Sequence, residues 1–129
     1  MKTILIDTNF YADIMLGQTQ TADILRRAAN ILLCPIVAGE LLYGFKNGGK
    51  EKQNLEQFER FVNLPSVRTV DITTETAQFF ALVMSELKTA GTPLPTNDVW
   101  IAACAMEHAA AIATRNEHFK KIPNLLLAV

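Results

Sequence analysis

The sequence predicts an α/β fold, a three-layer α/β/α domain with a central parallel sheet and helices on both faces. Three observations carry this. Ile4-Leu5-Ile6 and Ile31-Leu32-Leu33-Cys34 are short, wholly apolar runs, as expected of strands buried on both faces. Stretches with apolar residues at three- and four-residue spacing alternate with such runs, which is the order of βαβ units. Finally, 129 residues, half of them hydrophobic and free of repeats, low-complexity tracts or composition shifts, describe one domain spanning residues 1–129.

The elements follow in order. The strand Ile4–Ile6 ends at Asp7-Thr8-Asn9, turn and cap residues that open a helix through about Leu16, closed by Gly17. Thr21 to Ala29 places Ile24, Leu25 and Ala28 on one side of a second helix. The next strand, Ile31 to Cys34, is closed by Pro35, which has no N–H to give a sheet. Helical patterns run over Ile36 to Phe45 and Lys50 to Phe61, parted by Gly48-Gly49. Val67 to Ile72 alternates and is rich in β-branched residues, so it reads as a strand, and Thr73 can cap a helix from Thr74 to about Leu87. Gly91 and Pro93 stop that helix, Thr96 is expected to cap another through about Glu107, Ala110 to Thr114 reads as a strand, and Leu125 to Val129 as a last short one.

Composition excludes several classes. Twelve Lys and Arg against 13 Asp and Glu give a formal net charge of −1, which rules out a bulk basic surface while leaving room for a local basic groove. The three apolar residues before Asp7 are too few for a signal peptide core, and no run approaches the roughly 18–20 apolar residues of a membrane helix, so a cytoplasmic protein without membrane contact is expected. Cys34 and Cys104 each stand in an apolar context and read as small buried hydrophobes.

In a parallel sheet the ligand site lies beyond the C-terminal ends of the strands. Three acidic residues fall at or near that edge. Asp7 follows the first strand directly, although capping the next helix would alone account for it. Glu40 has Ile36, Val37, Tyr43 and Gly44 as its helical neighbours, so its carboxylate leaves an apolar and small face and needs a cation, strong donors or a proton. A salt bridge to Arg115 is the structural alternative. Asp98 stands in a first helical turn, where the helix dipole favours it, yet it shares a face with Ile101, Ala102 and Ala105.

Converging carboxylates repel unless a divalent ion or a proton sits among them. Oxygen-only ligation suits Mg²⁺, or Mn²⁺ in its place, bound through a few carboxylates plus substrate phosphate, and such an ion suits phosphodiester hydrolysis. A phosphoenzyme route through Asp7 would want a second Asp two residues on, and Asn9 stands there.

Ile4-Leu5-Ile6-Asp7-Thr8-Asn9, Gly39-Glu40-Leu41-Leu42-Tyr43-Gly44, Asn97-Asp98-Val99-Trp100-Ile101-Ala102 and Ala113-Thr114-Arg115-Asn116-Glu117-His118-Phe119, in this order across the chain, resemble the motifs of PIN-domain ribonucleases, specifically VapC-like toxins. The resemblance implies a Mg²⁺-dependent endoribonuclease of a type II toxin–antitoxin pair, acting on RNA such as tRNA, a homodimer, and inhibited by a cognate antitoxin protein. It assigns Asp7, Glu40 and Asp98 as catalytic, metal-holding carboxylates. The family's fourth acidic position falls on Asn116, which adds no charge, with Glu117 next to it as a substitute through water. That departure supports the rival reading, a PIN-like binding module that no longer cleaves.

Thr8, Asn9 and Thr114 are candidates for hydrogen bonds that orient the carboxylates, though ordinary turn roles suit them too. Arg115 suits either a phosphate or a carboxylate. Arg26-Arg27, Lys46, Lys50, Lys52 and Lys120-Lys121 are candidates for RNA backbone contacts. Tyr43 and Trp100 could stack a base, but a helix puts Trp100 about 200° round from Asp98, which favours packing. His108 and His118 lack a second histidine at ligand spacing and are given no catalytic role.

Overall fold

The computed structural model describes residues 2–128. Four strands, β1 (Thr3–Ile6), β2 (Asn30–Leu33), β3 (Val67–Thr69) and β4 (Ala111–Ala113), form one parallel sheet in the order β3-β2-β1-β4. Helices α1 (Thr8–Leu16) and α2 (Thr19–Arg27) join β1 to β2, α3 (Pro35–Asn47) and α4 (Glu51–Val62) join β2 to β3, and α5 (Thr74–Ala90) and α6 (Thr96–Glu107) join β3 to β4. The chain thus moves outward from β1 to β3 and then returns to the far side of β1. With right-handed crossovers this reversal sends the first four helices to one face and the last two to the other, as the expected three-layer architecture requires. It also opens a crevice between the C-terminal ends of β1 and β4, the topological switch point.

The register explains where the strands stop. Leu5 is opposite Leu32 on one side and Ile112 on the other. Ile4, Leu5, Leu32 and Ile112 are all fully buried, which accounts for runs with no polar alternation. The strand expected over Val67–Ile72 ends at Thr69, paired with Leu33. Beyond Leu33 the partner is gone, because Cys34 caps α3 and Pro35 begins it. The closing strand reduces to a bridge between Ile112 and Leu127, held by Ala128 N–H donating to the Ile112 carbonyl at 2.8 Å; Val129 lies outside the described residues.

Several helix ends match their signals. Gly17 closes α1 at φ 71°, a left-handed conformation that only glycine adopts without strain, and Gly91 closes α5 at the same φ. Thr73 caps α5, and the Thr76 hydroxyl answers the Thr73 N–H, a reciprocal capping box. Thr96 does not cap α6: it is the first helical residue, after Pro95, whose fixed φ suits the entry and whose side chain has no oxygen to offer. Helix α2 begins at Thr19 and ends at Arg27, two residues earlier at each end than its apolar pattern indicates.

Candidate active site

Asp7 sits at the switch point with its two oxygens in different roles. Oδ1 accepts from Thr8 N–H at 2.7 Å, so Asp7 does cap α1. Oδ2 accepts from the Thr114 hydroxyl at 2.7 Å, which ties the end of β1 to the exit of β4. The residue is 5% exposed. Burial pushes its carboxyl above the ordinary range; the bonds from Thr114 and Thr8 oppose this, and the negative charges of Glu40 and Asp98 add to it. The charges of the other two sequence-predicted carboxylates, Glu40 and Asp98, thus both reach Asp7.

Glu40, half-buried on α3, is held from two sides. The Thr8 hydroxyl donates to Oε1 at 2.5 Å and Asn97 Nδ2 to Oε2 at 3.3 Å. The alternative pairing with Arg115 is not what the structure shows. Arg115 forks onto Asp13 instead, Nε to Oδ2 at 2.6 Å and Nη2 to Oδ1 at 3.2 Å. The reason is local: Asn9 Oδ1 accepts the Arg115 backbone N–H at 3.0 Å and fixes that residue against α1, whose later turn carries Asp13. Of the two roles open to Arg115, phosphate or carboxylate, the fold thus displays the carboxylate.

Asp98, third residue of α6, places Oδ2 2.8 Å from Nδ1 of His118. His118, to which sequence reasoning assigns no catalytic role for want of a second histidine at ligand spacing, has a carboxylate as its partner. The available signal was Asn116. As an Asn two residues ahead it can cap a short helix, and here it caps the 3-10 helix Glu117–Lys121, with Oδ1 accepting His118 N–H at 3.0 Å. The side-chain oxygen of Asn116 thus serves as a cap. Glu117, next to it, is exposed and pairs with Lys120 at 2.7 Å. Asn97, the amide that reaches Glu40, was likewise missed as a functional position.

The surrounding cations are largely committed. Arg26 pairs with Asp23, Lys46 with Glu51, and Arg115 and Lys120 as above. Trp100 stacks on Phe80 with ring centroids 4.0 Å apart, a packing role, whereas Tyr43, one turn after Glu40, is 70% exposed. Cys34 and Cys104 are both buried and free, and the contact with Cys34, together with burial, pushes the Cys104 thiol far above its usual range, leaving it inert. A hollow of about 880 Å³ between α1, α2 and the β4 exit shares Thr114 and Arg115 with this edge, but Glu40 and Asp98 do not line it.

Among the described residues no group of three or more His, Cys, Asp or Glu side chains is placed to hold a metal ion. Magnesium does not require one, because it keeps several waters and uses one or two carboxylates together with substrate phosphate. The donors here are oxygens, and like charges close enough to raise Asp7 are what a divalent cation relieves. The residues fit such an ion.

A family model for the PIN domain matches residues 4–125. The chain belongs to the PIN domain family. It is 30% identical over 106 residues to Ribonuclease VapC2 of Rickettsia felis, covering 81% of this chain and 78% of that one. Ribonuclease VapC4 of Mycobacterium tuberculosis is 26% identical over 90 residues, 70% of this chain and 69% of that one. Among solved structures, VapBC2 from Rickettsia felis bound to a promoter DNA fragment superposes with a TM-score of 0.84 at 26% identity, over 97% of this chain and 96% of that one. FitAcB from Neisseria gonorrhoeae gives 0.79 at 26% identity, over 96% of each chain. No helix among the described residues of this PIN domain is long and apolar enough to cross a membrane.

Proposed function

We propose that this PIN domain is a Mg²⁺-dependent endoribonuclease, the toxin of a VapBC-type pair, hydrolysing RNA phosphodiester bonds with tRNA as a candidate substrate. What supports the reading is that the charges of Glu40 and Asp98 both reach Asp7 at the switch point, in a chain whose relatives are named ribonuclease VapC. Asp7 and Asp98 would hold the ion, with Glu40 beside them. A bound divalent ion there supplies charge neutralisation at the phosphate and a lowered pKa for water. The chain's own contribution is orientation. Thr114 and Thr8 N–H fix Asp7, the Thr8 hydroxyl and Asn97 fix Glu40, and His118 fixes Asp98, so each carboxylate reaches the reaction already aimed.

The solved neighbours are VapBC and FitAcB complexes, which supports a cognate antitoxin as the partner of this chain. A homodimer working in the cytoplasm completes the reading. The deciding experiment is cleavage of total RNA and of purified tRNA by antitoxin-free protein with Mg²⁺, Mn²⁺ or EDTA, beside Asp98→Ala. Cuts at discrete positions that need the metal and vanish in the variant support the reading. A folded protein that cleaves in neither metal favours the binding-module alternative, for which the missing carboxylate at Asn116 is the specific support.

A further inference from the structure

The loop leaving β4 connects the first and third carboxylates through an unbroken series of hydrogen bonds. The Thr114 hydroxyl donates to Asp7 Oδ2 at 2.7 Å and accepts Asn116 N–H at 2.9 Å. Asn116 Oδ1 accepts His118 N–H at 3.0 Å, and His118 Nδ1 reaches Asp98 Oδ2 at 2.8 Å. Phe119, the next residue, is 1% exposed, so the 3-10 helix bearing His118 is anchored in the core rather than loose on the surface.

We propose that His118 is a positioning residue that aims Asp98 at the metal, and that Asn116 serves the site through His118, as a cap, and not as a ligand. An ionised carboxylate only accepts, so Nδ1 of His118 carries the hydrogen of this bond. With Oδ2 held in this way, the orientation of Oδ1 is set, and the bond limits rotation of a side chain that would otherwise turn freely in the first turn of α6. The backbone of His118 is placed in turn by Asn116, whose side-chain oxygen accepts its N–H. An amide performs this task as well as a carboxylate, which explains how position 116 keeps a purpose without a charge. The strap 114–118 thereby sets the spacing of two carboxylates that belong to opposite ends of the chain.

The inference rests on the metal-dependent reading above but is tested apart from it, by binding of Mn²⁺ alone to the full chain, followed by electron paramagnetic resonance and calorimetry. His118→Ala is expected to weaken Mn²⁺ binding about 10- to 100-fold. His118→Asn should restore most of the loss, because its Nδ2 takes the place of Nδ1, whereas His118→Gln, which offers a donor in the place of Nε2, should not. Asn116→Ala should weaken binding in the same direction and Asn116→Ser, a competent cap, should not. Wild-type Mn²⁺ affinity in His118→Ala overturns the proposal, as does equal rescue by Asn and Gln. If His118→Ala does not fold, the Asn and Gln variants decide alone. A protein that binds Mn²⁺ in this His118-dependent manner yet cleaves no RNA sinks the ribonuclease reading and leaves the positioning role intact; metal-dependent cleavage with no His118 effect does the reverse.

Discussion

Two glutamates in this molecule are handled in nearly identical fashion and end in different roles. Thr76 on α5 donates to Glu107 at the end of α6 at 2.6 Å, and Thr8 on α1 donates to Glu40 on α3 at 2.5 Å. Each pair joins two helices across a long stretch of sequence. Around Glu107 there is a histidine, His108, with Nε2 3.8 Å away, while Thr76 also accepts the Thr73 N–H that completes the cap of α5. Glu40, by contrast, adds its charge to that of Asp98 at Asp7. On the proposed function, a half-buried carboxylate with a threonine donor is an interhelical tie when alone and part of a reactive centre when its charge reaches others, so that charge density, not burial, separates the two.

The sharpest break of this comparison is made at Asp98. Asp98→Ala should lower metal-dependent RNA cleavage by about 10²- to 10³-fold, since an ion at such a site supplies several kcal/mol of transition-state stabilisation. Circular dichroism should be unchanged. Unaltered cleavage would show that the gathered carboxylates are no more functional than Glu107.

The matched threonines give a closer test. Thr8→Val should reduce cleavage about 10- to 100-fold by freeing Glu40 while altering the unfolding midpoint little. Thr76→Val should do the opposite: the Thr76 side chain is fully buried, and removing its hydroxyl leaves Glu107 without its donor at a cost of about 1–3 kcal/mol in chemical denaturation, with cleavage intact. If both variants behaved alike, in either assay, the division between tie and reactive centre would be wrong.

The sequence makes the fold and the candidate carboxylates legible and hides the groups that hold them. Wholly apolar strands, Asp7 as a cap, Gly17 and Thr73 are local signals, and the fold follows from them together with the direction rules for parallel sheets. Asp7, Glu40 and Asp98 stand out as candidates because each is chemically out of place in its own helix or strand end. The groups that aim them were not. His118 and Asn97 do nothing unusual in their own segments, and their partners lie 20 and 57 positions away. The Arg115–Asp13 pair is hidden for the same reason: only the bond from Asn9 to the Arg115 backbone decides which way the guanidinium turns. Elements whose ends depend on a partner strand, such as β3, were overextended because the partner's proline lies in another part of the chain.

The smallest expected effect concerns protons. Burial first, and Glu40 and Asp98 after it, hold the Asp7 carboxyl above its ordinary value in the folded, metal-free protein. A group raised by folding binds more protons folded than unfolded, so its contribution to stability is full below the unfolded value and is lost as pH rises through the folded one. In EDTA, the midpoint of thermal unfolding should therefore fall as pH is raised from the ordinary carboxylate value through the raised value of Asp7. Asp7→Asn, which keeps an acceptor for Thr8 N–H and removes one of three like charges, should flatten that slope and raise the midpoint at neutral pH. Mg²⁺ should act in the same direction on the wild type, stabilising it in proportion to the logarithm of its concentration above the dissociation constant, and should do little for Asp7→Asn. A midpoint in EDTA that rises over this pH window in the wild type, with the same slope in Asp7→Asn, would mean that folding does not raise the Asp7 carboxyl.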